Sequence, residues 1–99
     1  MIFIQNYYSM FTPSFTGQFK KDFKLCRKRN YDIDIFDAAL KILLSSGTLP
    51  PSYKPHKLSG NYKGFYECHL MPDWLLIWKI DEVEYIITLV RTGSHADLF

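Results

Sequence analysis

Cysteine is scarce in this sequence: Cys26 and Cys68 are the two among 99 residues, and they form no CxxC pair. That count excludes a disulfide scaffold and points to a reducing, cytoplasmic setting. Long apolar runs are missing as well. The apolar stretches are short, as in Trp74-Leu75-Leu76-Ile77-Trp78, far below the ~20 residues of a membrane-spanning helix. Met1–Ser9 lacks the basic start, the hydrophobic stretch and the small-residue cleavage site of a secretory signal. It is set apart as a candidate N-terminal extension. Repeats, low-complexity tracts and domain linkers are absent. A chain of this length without a linker is expected to form one domain over residues 1–99.

What the sequence has in quantity is aromatic residues, 17% in all: eight Phe, seven Tyr and two Trp. Each can bury about 150–250 Å², so a short chain can still build a dense core. The net charge of +2 is small, but it is unevenly spread. Residues 1–64 carry ten Lys/Arg against four Asp/Glu, and residues 65–99 carry two against six. Six of the basic residues fall between Lys20 and Arg29, with Asp22 as the single acid among them. Such asymmetry suits a charged partner on one face of the molecule.

The hydrophobic pattern changes period along the chain. Met10–Phe15 reads as a first strand, with Pro13 favouring an edge position. Phe15, Phe19, Phe23 and Cys26 then mark one face of a helix running to about Asn30, capped by Thr16 or Ser14. Phe36, Ala39, Leu40, Leu43 and Leu44 mark a second helix from Asp34 to about Ser46. Asp32 or Asp34 is its N-cap and Gly47 its stop. Thr48–Lys57 carries three prolines and is expected to be a stiff loop. Strand character follows. Gly64–Leu70 alternates, with Phe65, Glu67 and His69 on one side and Tyr66, Cys68 and Leu70 on the other. Trp74–Ile80 is apolar on both faces and hence central, and Glu84–Arg91 is the last strand. The order is β-α-α-β-β-β: an α+β fold whose antiparallel sheet carries a helical hairpin on one face.

The turns bring chemistry together. Turns near residues 72 and 82 should place His69, Asp73, Trp74, Arg91 and His95 at one end of the sheet, within about 10–12 Å given the spacing of adjacent strands. His56 lies in the loop leading to the same place. Imidazoles exchange protons near neutral pH, and a guanidinium matches phosphate oxygens through its planar fork. That set suits cleavage of RNA by its own 2′-OH. One group takes the 2′-OH proton, another protonates the leaving 5′-oxygen, and the cation holds the phosphate charge. Trp74 and Phe99 are candidates for stacking on splayed bases. No cofactor or metal is expected. The spacing of His56, Cys68, His69 and His95 matches no usual zinc pattern, and Cys68 points away from His69 on a strand.

The spaced pattern His56, Leu58-Ser59-Gly60, Glu67-Cys68-His69, Pro72-Asp73-Trp74, Arg91-Thr92-Gly93-Ser94-His95 and Leu98-Phe99 resembles the YafQ branch of the RelE/ParE superfamily of bacterial type II toxins. The resemblance covers roughly residues 10–99. It departs at Pro55, where relatives often carry an acidic residue, and at Trp78, often tyrosine. It implies a RelE-like fold and a metal-independent mRNA endoribonuclease that works in the ribosomal A site. It also implies catalytic roles for His56, His69, Asp73, Arg91 and His95, with the choice of base and acid open, and substrate contacts for Trp74 and Phe99. The basic helix residues Lys20, Lys24, Arg27 and Lys28 would then face ribosomal RNA. The implied partners are a DinJ- or RelB-like antitoxin, the 70S ribosome and mRNA, with promoter DNA bound only through the antitoxin and no membrane. The alternative within the superfamily is a non-catalytic ParE-like toxin acting on DNA gyrase.

Overall fold

The computed structural model describes residues 9–99, so all of the candidate extension except Ser9 lies outside the described residues. Strand β1 (Thr12–Phe15) leads into helix α1 (Gly17–Lys28). Of the two possible caps Thr16 is the one used: its hydroxyl accepts the Phe19 N–H and donates to the Val90 carbonyl, tying the helix start to the sheet. Helix α2 (Ile33–Ser46) starts on Asp32, whose carboxylate accepts the Asp34 N–H. It stops at Gly47 in the left-handed region, φ 79°. A Cβ on Gly47 would also stand 2.8 Å from the Phe11 ring, so no side chain fits there.

Apart from two short 3-10 turns, Pro51–Tyr53 and Gly60–Tyr62, the other elements of the described residues are β2 (His56–Lys57), β3 (Tyr66–Met71), β4 (Trp74–Asp81), β5 (Ile86–Gly93) and a terminal turn of helix, α3 (His95–Leu98). They form one sheet in the order β1-β5-β4-β3-β2. The meander β3-β4-β5 is antiparallel, and β4 is central as its double-sided apolarity requires. The purely antiparallel expectation needs one correction, because β1 pairs with β5 in parallel. A long connection through two helices and the meander separates these strands, so no tight turn forces them antiparallel. The sequence pattern also missed β2, inside the proline-rich segment, and α3. Both are too short for a period to register.

Each face of the sheet has its own cluster. Trp74, Leu76 and Trp78 of β4 join Phe19, Phe23, Phe36, Leu40 and Leu43 beneath the helical hairpin. Leu75 and Ile77 point the other way, toward Leu98, with Leu58, Tyr62, Phe65 and Val90 packed around them. Among the described residues no long helix covers this second face, on which Glu67 and His69 lie. Among the described residues no helix is long and apolar enough to cross a membrane.

Register moves one residue from its expected place. Asp81 accepts the N–H groups of Val83 and Glu84 and sits opposite Ile86. The turn is therefore centred beyond residue 83, not at Asp81-Glu82. A bulge follows between Ile77 and Trp78. Arg91 consequently lies opposite Ile77, and the neighbourhood of Trp74 is taken by the residues around Gly93.

Candidate active site

Strand alternation puts Glu67 and His69 on the face away from the hairpin, while Cys68 and Leu70 enter the main core. His56 on β2 is the register partner of Glu67. His95 opens α3. Together these elements set three imidazoles in a row: His56 to His69 is 6.5 Å between ring centroids, and His69 to His95 is 6.0 Å. The Phe99 ring follows, 6.4 Å from His95 and 5.7 Å from Tyr62.

Each imidazole is held at Nδ1. Nδ1 of His95 meets the Asp73 carboxylate at 3.0 Å, and the same oxygen accepts the His95 backbone N–H. Those two bonds, the backbone one foremost, hold the Asp73 carboxyl below its usual range. Nδ1 of His69 meets the Pro72 carbonyl at 3.3 Å, and Nδ1 of His56 meets the Lys54 carbonyl at 2.8 Å. A carbonyl or carboxylate only accepts, so Nδ1 carries the proton in each bond. Among the described residues Nε2 of His69 and Nε2 of His95 have no hydrogen-bond partner. Nε2 of His56 lies 3.2 Å from Glu67. Lys54 takes a left-handed conformation, φ 52°, which turns its carbonyl back onto His56.

The terminal turn that carries His95 and Phe99 is fastened twice. Ser94 and Asp97 form a reciprocal capping box, and Arg29 at the end of α1 grips the Asp97 carboxylate at 2.6 and 3.2 Å. Gly93 is needed beneath it: at φ 153°, a Cβ would stand 2.9 Å from the Asp97 carboxylate. The Arg29 contact, then the Ser94 N–H, draw the Asp97 carboxyl from 3.8 down to about 2. Its stabilisation is therefore complete above about pH 4 and is lost as pH falls through 2. Asp97→Asn should lower the melting temperature at pH 7, with the difference fading between pH 4 and pH 2. An equal difference at both ends of that range in thermal melts would contradict this.

Two expected site residues are placed differently from the expectation. Trp74 is 2% exposed and points beneath the hairpin, edge-on to Tyr31, with its indole N–H donated to the Thr92 hydroxyl. It offers no face to a base, because alternation along β4 sets it on the core side with Leu76 and Trp78, while Leu75 is the register partner of His69. Arg91 lies nearer the β4–β5 turn than expected, opposite Ile77, and is engaged by Asp22: Nε at 2.7 Å and Nη2 at 3.2 Å. Phe99 is exposed beside the histidine row. Lys20, Lys24, Arg27 and Lys28 are exposed along α1, where they line a shallow hollow floored by Phe19 and Phe23.

Three residues of this region escaped the sequence reading as site residues. Glu67 is 5% exposed, and its Oε2 has no partner among the described residues. Its signal was an acid on the same strand face as His69. Asp22 was visible only as the lone acid in a basic run, and Tyr62 carried no signal. Among the described residues no group of three or more His, Cys, Asp or Glu is arranged to hold a metal ion.

Residues 11–99 match the family described as "Bacterial toxin of type II toxin-antitoxin system, YafQ". The chain belongs to the YafQ family. Its YafQ relatives include the mRNA interferase toxin YafQ of Escherichia coli K12, 38% identical over 86 residues, or 86% of this chain and 91% of that protein. The crystal structure of the E. coli DinJ-YafQ toxin-antitoxin complex superposes with a TM-score of 0.82 at 36% identity, covering 91% of this chain and 98% of that one. A metal-bound toxin from Helicobacter pylori superposes with a TM-score of 0.84 at 40% identity, covering 91% and 100%. The α+β expectation and the YafQ resemblance both hold.

Proposed function

We propose that this YafQ-family toxin is an mRNA endoribonuclease that cuts in the ribosomal A site by attack of the substrate's 2′-OH. The observation that carries the proposal is the row of three imidazoles at 6.5 and 6.0 Å on the sheet face away from the helical hairpin. The interferase name of the E. coli relative supports the same reading.

His69 and His95 are the acid–base pair, because each leaves Nε2 to the substrate. His69, held by a neutral carbonyl, takes the 2′-OH proton. The 2′-oxygen bonds to phosphorus as the bond to the 5′-oxygen breaks. His95, with the Asp73 carboxylate as counter-charge, gives its proton to that oxygen. The products are a 2′,3′-cyclic phosphate and a 5′-OH. His56, held by the Lys54 carbonyl and by Glu67, stands at the edge of the site as the third imidazole of the catalytic row. Arg91 holds the phosphate charge and Phe99 supports a base. No step needs a metal.

The exposed cations Lys20, Lys24, Arg27 and Lys28 face ribosomal RNA phosphates. The E. coli DinJ-YafQ toxin-antitoxin complex supports a cognate antitoxin as the protein partner, and promoter DNA is reached only through that antitoxin. The setting is the cytoplasm, where translation occurs.

The reading is tested on ribosomes programmed with mRNA in which one nucleotide at a time is 2′-deoxy. Deoxy substitution at the cut site should abolish cleavage there, and substitution two nucleotides away should not. Cleavage that persists at the deoxy position would refute 2′-OH attack. Intact transcripts with arrested replication after induction would instead favour a gyrase target.

A further inference from the structure

Asp22 is the single acid in the basic stretch Lys20–Arg29, yet it turns inward: its side chain is 9% exposed. Four donors converge on its carboxylate. Arg91 Nε and Nη2 come at 2.7 and 3.2 Å, the Thr92 backbone N–H at 3.2 Å and the Gln18 amide at 2.9 Å. The frame around it is itself tied down. The Thr92 hydroxyl donates to the Leu75 carbonyl at 2.7 Å and accepts the Trp74 indole N–H. A group so surrounded cannot swing away at little cost, and neither can the guanidinium it grips.

A guanidinium has two forked edges. The inner edge, Nε with Nη2, is taken by Asp22. The outer edge, Nη1 with the second Nη2 hydrogen, meets no second carboxylate among the described residues; the neutral Tyr62 hydroxyl is the side-chain hydrogen-bond partner beside it. The Tyr62 ring meets Phe99, which adjoins His95. The outer fork thus belongs to the same face as the histidine row.

We propose that Asp22 is a positioning residue for the cleavage reaction. It clamps the inner edge of Arg91 and thereby presents the outer fork to the scissile phosphate. The rotamer entropy of a long arginine is settled before substrate arrives, which is how a fixed cation favours a transition state over a ground state. The inference rests on Arg91 as the phosphate ligand.

The test is single-site cleavage on programmed ribosomes by D22N, R91A, R91K and D22N/R91A. D22N places amide hydrogens against those of Arg91 and breaks the clamp. It should lower kcat on the order of 10²-fold with KM little changed. In the R91A background D22N should cost nothing further. R91K leaves Asp22 intact but cannot make the two-point contact, and it should fall with R91A. This variant keeps the question open to test even where D22N folds poorly. In the wild type, the Arg91 Nε–H should give a slowly exchanging NMR signal that D22N removes. If R91A cuts at full rate, the phosphate role of Arg91 fails and the clamp with it. If R91A is impaired while R91K or folded D22N keeps its rate, the clamp alone fails. A faster D22N, as competition between Asp22 and substrate for Arg91 would give, overturns it as well.

Discussion

His95→Ala should lower mRNA cleavage by about 10²–10⁴-fold, the range in which a single positioned acid or base contributes. The ring is exposed, so its loss leaves no cavity. The capping box of Ser94 and Asp97 and the grip of Arg29 do not involve it. Asp73 keeps the backbone N–H of residue 95. Stability should therefore stay within about 0.5 kcal/mol of wild type. Single-turnover cleavage on programmed ribosomes measures the first quantity and denaturant unfolding the second. Cells expressing the variant without antitoxin should grow. A variant that still cuts within a few-fold of wild type would remove His95 from the reaction. A variant that loses cleavage and several kcal/mol together would make His95 a structural residue. Asp73→Asn keeps the shape of the contact but loses the counter-charge, and a smaller loss of cleavage is expected.

Trp74→Ala should destabilise the fold by about 3–5 kcal/mol, the span for deleting a large buried aromatic. That is a large fraction of the about 5–15 kcal/mol that holds a domain folded. The indole fills the space between β4 and the α1–α2 turn against Tyr31. Its N–H also satisfies the Thr92 hydroxyl, which with the Thr92 backbone N–H connects the core to Asp22. Trp74→Phe keeps most of the volume and should cost less while leaving cleavage per folded molecule nearly intact. A base-stacking tryptophan would behave the opposite way, with unchanged unfolding and lost cleavage for both variants. Urea titration beside cleavage, normalised to folded protein, separates the two.

Much of the fold could be read directly. The apolar stripe Phe19, Phe23, Cys26 and the stripe Phe36 to Leu44 face the sheet as their spacing requires. The alternation that divides Glu67 and His69 from Cys68 and Leu70 also appears. The histidines were legible because so few are present and the meander returns them to one place. Trp74 was open to the same logic: with Leu76 and Trp78 it marks one side of an alternating strand, the side that Cys68 shares and His69 does not. Arg91 was misplaced because strand register depends on where a turn is centred. Asp81 and a bulge at Ile77 shift that centre without leaving a period to read.

Composition and periodicity determined by themselves that this chain makes two helices against a sheet, and that imidazoles gather beside one end of it. They could do so because these properties arise from neighbours a few residues apart, where a repeat of 2.0 or 3.6 reports which way a side chain points. The pairing of Asp22 with Arg91, of Arg29 with Asp97 and of His56 with Glu67 was settled only when the chain closed on itself. The first two pairs join residues more than sixty positions apart, and the third depends on a two-residue strand. No local pattern encodes such contacts, because their energy comes from charges and donors that meet only after the sheet has formed.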